Sequence, residues 1–227
     1  MDRSIILMAI VWAIYLFVLL PLYLFKEKQD GSVKAVHYKI VLSAIFCAIG
    51  LASAFLLHAD AFSALISAGL LFAMGGDYFL VYIKTDERKF FYGILCFGIT
   101  QVFYIAAMAS IAGFSYMEFI IASGVIALAV IGKILLKMDL GKVEFPLTVY
   151  FGLVIFMAVK AVSMALPGNS SLTMQLLFST GAFLFLASDI FLGINGFIKS
   201  KRIFSYLVGI FYFLGQLMIA TAAFFQK

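Results

Sequence analysis

The chain has 227 residues, of which 65% are hydrophobic and 12% are charged, and its mean hydropathy is +1.15. A soluble domain averages about 45–50% apolar and about 25% charged residues, so this composition excludes a soluble globular fold and indicates an integral membrane protein. The net charge is +5. Because the basic residues lie between apolar stretches, they indicate membrane topology rather than binding to nucleic acid.

Eight apolar stretches follow one another along the chain. A helix that crosses the hydrocarbon core needs roughly 20 predominantly apolar residues. Division at charged and polar breaks predicts helices at residues 4–25, 37–57, 61–83, 90–110, 117–136, 145–166, 172–194 and 203–224. The first is too long for a signal peptide and is predicted to be a span. The connections are short, so we expect an all-α, polytopic bundle that forms a single transmembrane domain over residues 1–227.

Basic residues are distributed unevenly between the two predicted sides of the membrane. One side holds thirteen of the sixteen lysines and arginines, namely Lys26, Lys28, Lys34, Lys39, Lys84, Arg88, Lys89, Lys133, Lys137, Lys142, Lys199, Lys201 and Arg202. The other side holds Arg3 and Lys227. The positive-inside rule assigns the first side to the cytoplasm, so both termini are predicted outside it. Lys160 lies near the outer end of the sixth predicted helix, and we expect its side chain to extend to the interface.

The sequence repeats itself at an offset of 112 residues. GLLFAMGGDYFL at residues 69–80 matches GAFLFLASDIFL at residues 181–192, so that Asp77 aligns with Asp189. A duplicated four-helix unit explains this match, although apolar sequences also align by chance. Four is an even number, so the halves would share one orientation in the membrane. The predicted halves are about 1–112 and 113–227.

Asp77 and Asp189 are the main candidates for chemistry. A charged side chain deep in a membrane helix costs about 2.5–3.5 kcal/mol on insertion scales, so such residues are functional candidates. Both lie five or six residues before the cytoplasmic ends of their predicted helices, roughly 8–9 Å below the interface. Of two carboxyl groups in one pocket, one can stay protonated as a proton donor while the other stays ionised. The alternative is that each only stabilises helix packing.

Six further polar side chains are candidates for binding a substrate beside the aspartates. Two intramembrane glutamines could line the pocket, and three tyrosines could donate hydrogen bonds or be ordinary core aromatics. One lysine could hold a lipid phosphate or only anchor its helix. No spacing of cysteines or histidines indicates a metal site, and no cofactor is expected. These candidates are Lys39, Gln101, Tyr104, Tyr150, Tyr212 and Gln216.

Several stretches resemble the YhhN family, which is related to the eukaryotic TMEM86 proteins, the lysoplasmalogenases. GGDYFL and ASDIFLGIN resemble the family's paired aspartate motifs. FYGILCFGITQVFYI, VYFGLVIFMAVKA and YFLGQLMI resemble its fourth, sixth and last helices. The resemblance extends over about residues 35–224. The chain departs from the family pattern at Gln101, where a histidine is frequent, and at Ile40, where a proline is frequent.

The resemblance implies an enzyme that hydrolyses the vinyl ether bond of lysoplasmalogens, which are lysophospholipids of the membrane. The expected products are a fatty aldehyde and a glycerophospho-ethanolamine or -choline. The reaction needs a carboxylic acid and a carboxylate, for which Asp77 and Asp189 are the candidates. Three alternatives stay open, namely a lipid or small-molecule transporter or binding protein, a metal-dependent membrane hydrolase and a structural or regulatory membrane subunit. The lysine- and phenylalanine-rich, loop-poor chain favours a bacterial inner membrane.

Overall fold

The computed structural model describes residues 3–83, 85–164 and 171–226. Lys84 and Lys227, which the topology prediction used, lie outside the described residues, as do residues 165 and 166 of the sixth predicted helix. Within the described residues, eight helices are long and apolar enough to cross a membrane. This finding confirms the predicted all-α, multi-pass integral membrane bundle.

The eight helices agree with the predicted spans to within a few residues at most ends. The largest differences are at the end of α1, the start of α6 and the end of α7, where the helices extend into polar sequence beyond the apolar run. The helices are α1 (Ser4–Asp30), α2 (Val36–Leu57), α3 (Ala61–Leu80), α4 (Glu87–Ala112), α5 (Tyr116–Leu135), α6 (Gly141–Met164), α7 (Leu172–Ile198) and α8 (Arg202–Phe224). Short π-helical segments occur at Tyr15–Leu19, Ser53–His58 and Ile194–Ile198.

Within the described residues, side-chain caps begin four of the helices. Asp60 accepts a hydrogen bond from the backbone N–H of Ser63 at the start of α3 (2.7 Å). Asp86, Ser115 and Ser171 cap α4, α5 and α7 in the same way. Such caps satisfy backbone donors that the first helical turn leaves free. Odd-numbered helices end, and even-numbered helices begin, at one common end of the bundle. We call this end of the bundle the basic end, because the predicted cytoplasmic lysines flank it.

Two helix pairs, α3 with α4 and α7 with α8, pack most closely. Glycines permit this approach. A Cβ atom at Gly69 of α3 would lie 2.5 Å from the ring of Tyr104 on α4. A Cβ atom at Gly181 of α7 would lie 2.8 Å from the carbonyl oxygen of Gly215 on α8. Small residues at helix interfaces are the usual means of close packing in membranes.

The helices differ in how deeply they are buried. In α8, 61% of the most apolar stretch is buried, whereas the value is 11% for α1 and for α5. The central helix is therefore α8, while α1 and α5 lie at the periphery, where exposed leucine, isoleucine and phenylalanine side chains suit contact with lipid. The predicted duplication of a four-helix unit stays a prediction.

The expectation that Lys160 extends to the interface is wrong. Its side chain is fully buried, and its Nζ lies 2.8 Å from Oε1 of Glu118 on α5. It also donates to the carbonyl oxygen of Gly113, and Ser163 donates to the same Glu118 oxygen (2.5 Å). The buried carboxylate of Glu118 pairs with the amine of Lys160, which therefore does not need to reach the polar interface. This cluster fixes peripheral α5 to α6 at the end opposite the basic end.

Candidate functional site

A cavity of about 550 Å³ lies at the basic end of the bundle. All eight helices contribute to its wall, and most of the lining side chains are apolar. Its volume falls within the range of small-molecule sites, which are roughly 300–1,000 Å³. The polar groups of the wall are few, and they include both aspartates of the repeated motif.

Asp77 is fully buried and has three donor side chains around it, which lie on two helices. The Nζ of Lys39 on α2 lies 3.2 Å from Oδ1. The hydroxyls of Ser43 on α2 and Tyr212 on α8 each donate to Oδ2 at 2.6 Å. A cation and two hydroxyl donors together favour the ionised form of a carboxyl group. These three partners therefore offset part of the cost of burying a charged carboxylate.

Asp189 has different surroundings. It is buried on α7, and the hydroxyl of Tyr150 on α6 lies 2.6 Å from its Oδ2. Among the described residues, no lysine, arginine or histidine forms an ion pair with it. A buried carboxyl group without a cation is costly to ionise. The surroundings of Asp189 therefore suit a neutral carboxylic acid.

Aromatic rings connect the two aspartates. The ring of Phe97 on α4 lies 5.8 Å from that of Tyr212 and 6.4 Å from that of Tyr150, measured between ring centroids. Each of these tyrosines donates its hydroxyl to one aspartate. The ring of Phe97 therefore lies between the two tyrosine–aspartate pairs. A Cβ atom at Gly76 would lie 2.7 Å from this ring. The small residue before Asp77 thus makes room for the ring.

The distances from the two aspartates to the ends of their helices differ from the prediction. Asp77 lies three residues before the end of α3 at Leu80, and Asp189 lies nine residues before the end of α7 at Ile198. The prediction of five or six residues for both is wrong, because α3 ends early and α7 continues through a π-helical turn. Both side chains nevertheless line the same cavity.

The six other candidates divide into two groups. Lys39, Tyr150 and Tyr212 line the cavity with the aspartates. The remaining three lie deeper in the bundle, and among the described residues none of them forms part of the cavity wall. They are Gln101, Tyr104 and Gln216.

The deeper group forms a buried polar layer. The hydroxyl of Tyr104 donates to Oε1 of Gln216 at 2.6 Å, and Gln216 lies one helical turn beyond Tyr212 on α8. Neither amide atom of Gln101 has a hydrogen-bond partner among the described residues. A role of these three residues in binding substrate stays a prediction.

Sequence reasoning missed several residues of the site. Ser43 lies four residues after Lys39, so helical spacing alone would have placed it on the same face of α2. Phe97, Glu27 and Lys133 also line the cavity. No pattern distinguished them from the other aromatic or charged residues of their helices.

These features define a class of protein, a polytopic α-helical membrane protein with an apolar cavity that contains two buried carboxyl groups. The sequence model of the YhhN family matches residues 34–223, and the chain belongs to this family. The match confirms the resemblance that the aspartate motifs indicated.

The chain is also similar to the human protein lysoplasmalogenase TMEM86A (Homo sapiens), with 28% identity over 162 residues. The match covers 70% of this chain and 64% of the relative, and thus less than two thirds of the relative's length. No solved structure matches the chain significantly.

Proposed function

We propose that this protein is a membrane-embedded hydrolase of the lysoplasmalogenase type, which cleaves the vinyl ether bond of lysoplasmalogens. The observation that carries the proposal is the pair of buried aspartates in one apolar cavity, one beside a cation and the other without an ion-pair partner among the described residues. The family and the name of the human relative supply the substrate class. A cavity with apolar walls suits an alkenyl chain.

We assign Asp189 as the proton donor. Its carboxylic acid transfers a proton to the β-carbon of the vinyl ether. This step converts the vinyl ether into an oxocarbenium ion and leaves Asp189 as a carboxylate. The buried position without a cation supports this role, because a general acid must hold its proton until the substrate arrives. Tyr150, which lies 2.6 Å from Oδ2 of Asp189, orients the carboxyl group.

We assign Asp77 as the permanent anion of the site. Its negative charge stabilises the oxocarbenium ion, and the partners Lys39, Ser43 and Tyr212 keep it ionised and oriented. In many enzymes, preorganised groups that stabilise the charge of the transition state account for most of the rate enhancement. In this assignment Lys39 acts mainly on Asp77, and its predicted contact with the substrate phosphate becomes a secondary role.

Water completes the reaction. A water molecule adds to the oxocarbenium carbon, and the Asp189 carboxylate takes up the proton that the water releases. The resulting hemiacetal then collapses to a fatty aldehyde and an alcohol, the glycerophospho-ethanolamine or -choline, whose glycerol oxygen leaves with a proton. One water is consumed, the carbon–oxygen bond breaks, and both aspartates return to their initial protonation states. In this route Asp189 supplies the proton and Asp77 supplies the negative charge.

We also propose that the basic end faces the cytoplasm of a bacterial cell and that both termini lie on the other side of its inner membrane. The positive-inside rule supports this orientation. The substrate's headgroup would then lie in the cytoplasmic leaflet, near the mouth of the cavity.

Aldehyde release tests the proposal directly. Purified protein in detergent is incubated with alkenyl-lysophosphoethanolamine, and free aldehyde is measured. We expect activity in wild type and its loss in Asp77→Asn and Asp189→Asn, since each variant removes a charge or a proton at an almost unchanged side-chain volume. The matched control is Asp60→Asn, which changes a helix cap outside the cavity and should retain activity.

Two further arms separate the alternatives. Activity that persists with a chelator argues against a metal-dependent hydrolase, and its loss would support one. A folded wild-type protein that releases no aldehyde from ethanolamine or choline substrates refutes the enzymatic proposal. Binding or transport of the same lipids would then become the better interpretation.

A further inference from the structure

Glu27 is a charged residue of the cavity wall that the assigned chemistry does not use. It lies near the end of α1, lines the cavity and is half-buried. The hydroxyl of Ser32, in the connection to α2, donates to its Oε1 at 3.0 Å. The carboxylate is therefore oriented at the basic end of the cavity. Both residues lie outside residues 34–223, which the family model matches.

The two lysines that line the cavity among the described residues already have carboxylate partners. Lys39 pairs with Asp77, and Lys133 pairs with Glu144. Among the described residues, no lysine, arginine or histidine forms an ion pair with Glu27. An uncompensated negative charge at the edge of an apolar cavity attracts a cationic ligand group, because the low-dielectric wall screens the charge less than water does.

Aromatic side chains connect Glu27 to the aspartate site. Tyr23 lies one turn earlier on α1, about 6 Å deeper along the helix axis, and also lines the cavity. Its ring centroid lies 5.4 Å from that of Phe213, which lies 4.9 Å from that of Tyr212. Because Tyr212 donates to Asp77, the order from the basic end inward is carboxylate, aromatic rings and then the reacting centre.

We propose that Glu27, oriented by Ser32 and backed by the ring of Tyr23, binds the ammonium group of a phospholipid headgroup. A carboxylate beside aromatic rings suits an organic ammonium ion, which both groups attract. This inference rests on the proposed function, since it places the headgroup of the substrate at the basic end and its vinyl ether between the aspartates. It makes Glu27 a determinant of headgroup specificity.

Binding of ligands that cannot be hydrolysed tests the subsite. The probes are a saturated 1-O-alkyl-lysophosphoethanolamine, its choline counterpart and the 1-O-alkyl-glycerophosphate that lacks an ammonium group. Dissociation constants are measured for wild type, Glu27→Gln, Glu27→Asp and the control Asp30→Asn. Asp30 lies at the end of the same helix but outside the cavity wall.

The proposal predicts a selective loss of affinity. Glu27→Gln should bind the two ammonium lipids about tenfold more weakly or worse, as expected for a lost hydrogen bond to a charged group, and the glycerophosphate lipid equally or more tightly. Glu27→Asp should keep part of the selectivity, and Asp30→Asn should bind as wild type does. An equal change for all three lipids, or no change, overturns the proposal.

The saturated lipids keep this test separate from catalysis, because they lack the double bond that Asp189 would protonate. Selective weakening by Glu27→Gln in a protein that releases no aldehyde from vinyl ether substrates would support the subsite and refute the enzyme. Wild-type protein that binds none of the three lipids would overturn the subsite, whatever the aldehyde assay shows.

Discussion

Removal of the buried lysine on α6 should destabilise the protein strongly. Lys160 is fully buried, Glu118 is almost so, and Nζ lies 2.8 Å from the carboxylate. Loss of one partner from a buried ion pair costs about 3–5 kcal/mol, because the other charge stays buried without compensation. For a protein of this size, about 2–4 °C in Tm corresponds to 1 kcal/mol. We therefore expect Lys160→Met to lower Tm by about 6–20 °C in detergent, measured by intrinsic fluorescence during heating.

The double variant Glu118→Gln/Lys160→Met separates charge from packing. It removes both charges while the glutamine oxygen still accepts from Ser163, so it should recover much of the lost stability. The control is Lys142→Met, since Lys142 pairs with Glu87 at 3.7 Å with both side chains exposed, and such pairs contribute about 0–1 kcal/mol. The reasoning is refuted if Lys160→Met unfolds at the temperature of wild type or of this control.

Two other predictions concern helix packing and the charge at Asp77. Gly181→Ala should lower Tm, because its Cβ would lie 2.8 Å from a backbone oxygen and overpacking costs about 1–3 kcal/mol. The control Gly98→Ala should be neutral or slightly stabilising, because its Cβ meets no atom of the described residues within 4 Å. Equal melting temperatures of the two variants would contradict this prediction. Lys39→Met should reduce aldehyde release nearly as much as Asp77→Asn, and Lys39→Arg should retain part of it. Full activity in Lys39→Met would refute the assigned role of the lysine.

Hydropathy predicted the fold well because a membrane helix must satisfy every backbone hydrogen bond within an apolar stretch of fixed minimum length. Helix ends were harder to predict. The helix α1 continues to Asp30 through Lys26, which lies 4.0 Å from Asp30, and such a polar turn resembles a loop in composition. The end of α7 was missed for a similar reason. Its last turn, Ile194–Ile198, is π-helical and contains an asparagine and a glycine, which are typical of a loop.

Site residues could be predicted where a single position carried the signal. An aspartate within a membrane helix is a strong signal, because its insertion into the bilayer costs free energy. Both aspartates line the cavity. Residues that depend on a distant partner could not be predicted in the same way. From its position in the sequence, Lys160 looks like an interfacial lysine. Only the fold shows that its amine pairs with Glu118, which is 42 residues away in the chain. Similarly, Gln101 and Tyr104 are polar residues of a membrane helix, and only tertiary structure shows that they lie below the cavity rather than in its wall.

The proposed duplication offers an explanation for the different surroundings of the two aspartates. At the offset of 112 residues, Lys39 aligns with Phe151 and Ser43 aligns with Ile155. The second half of the chain thus has apolar residues where the first half supplies Asp77 with a cation and a hydroxyl. Acid–base chemistry needs two carboxyl groups whose environments push their protonation states apart. A symmetric duplication would supply two equivalent carboxyl groups, and substitutions at these two positions of one helix would suffice to make one a lasting anion and the other an acid.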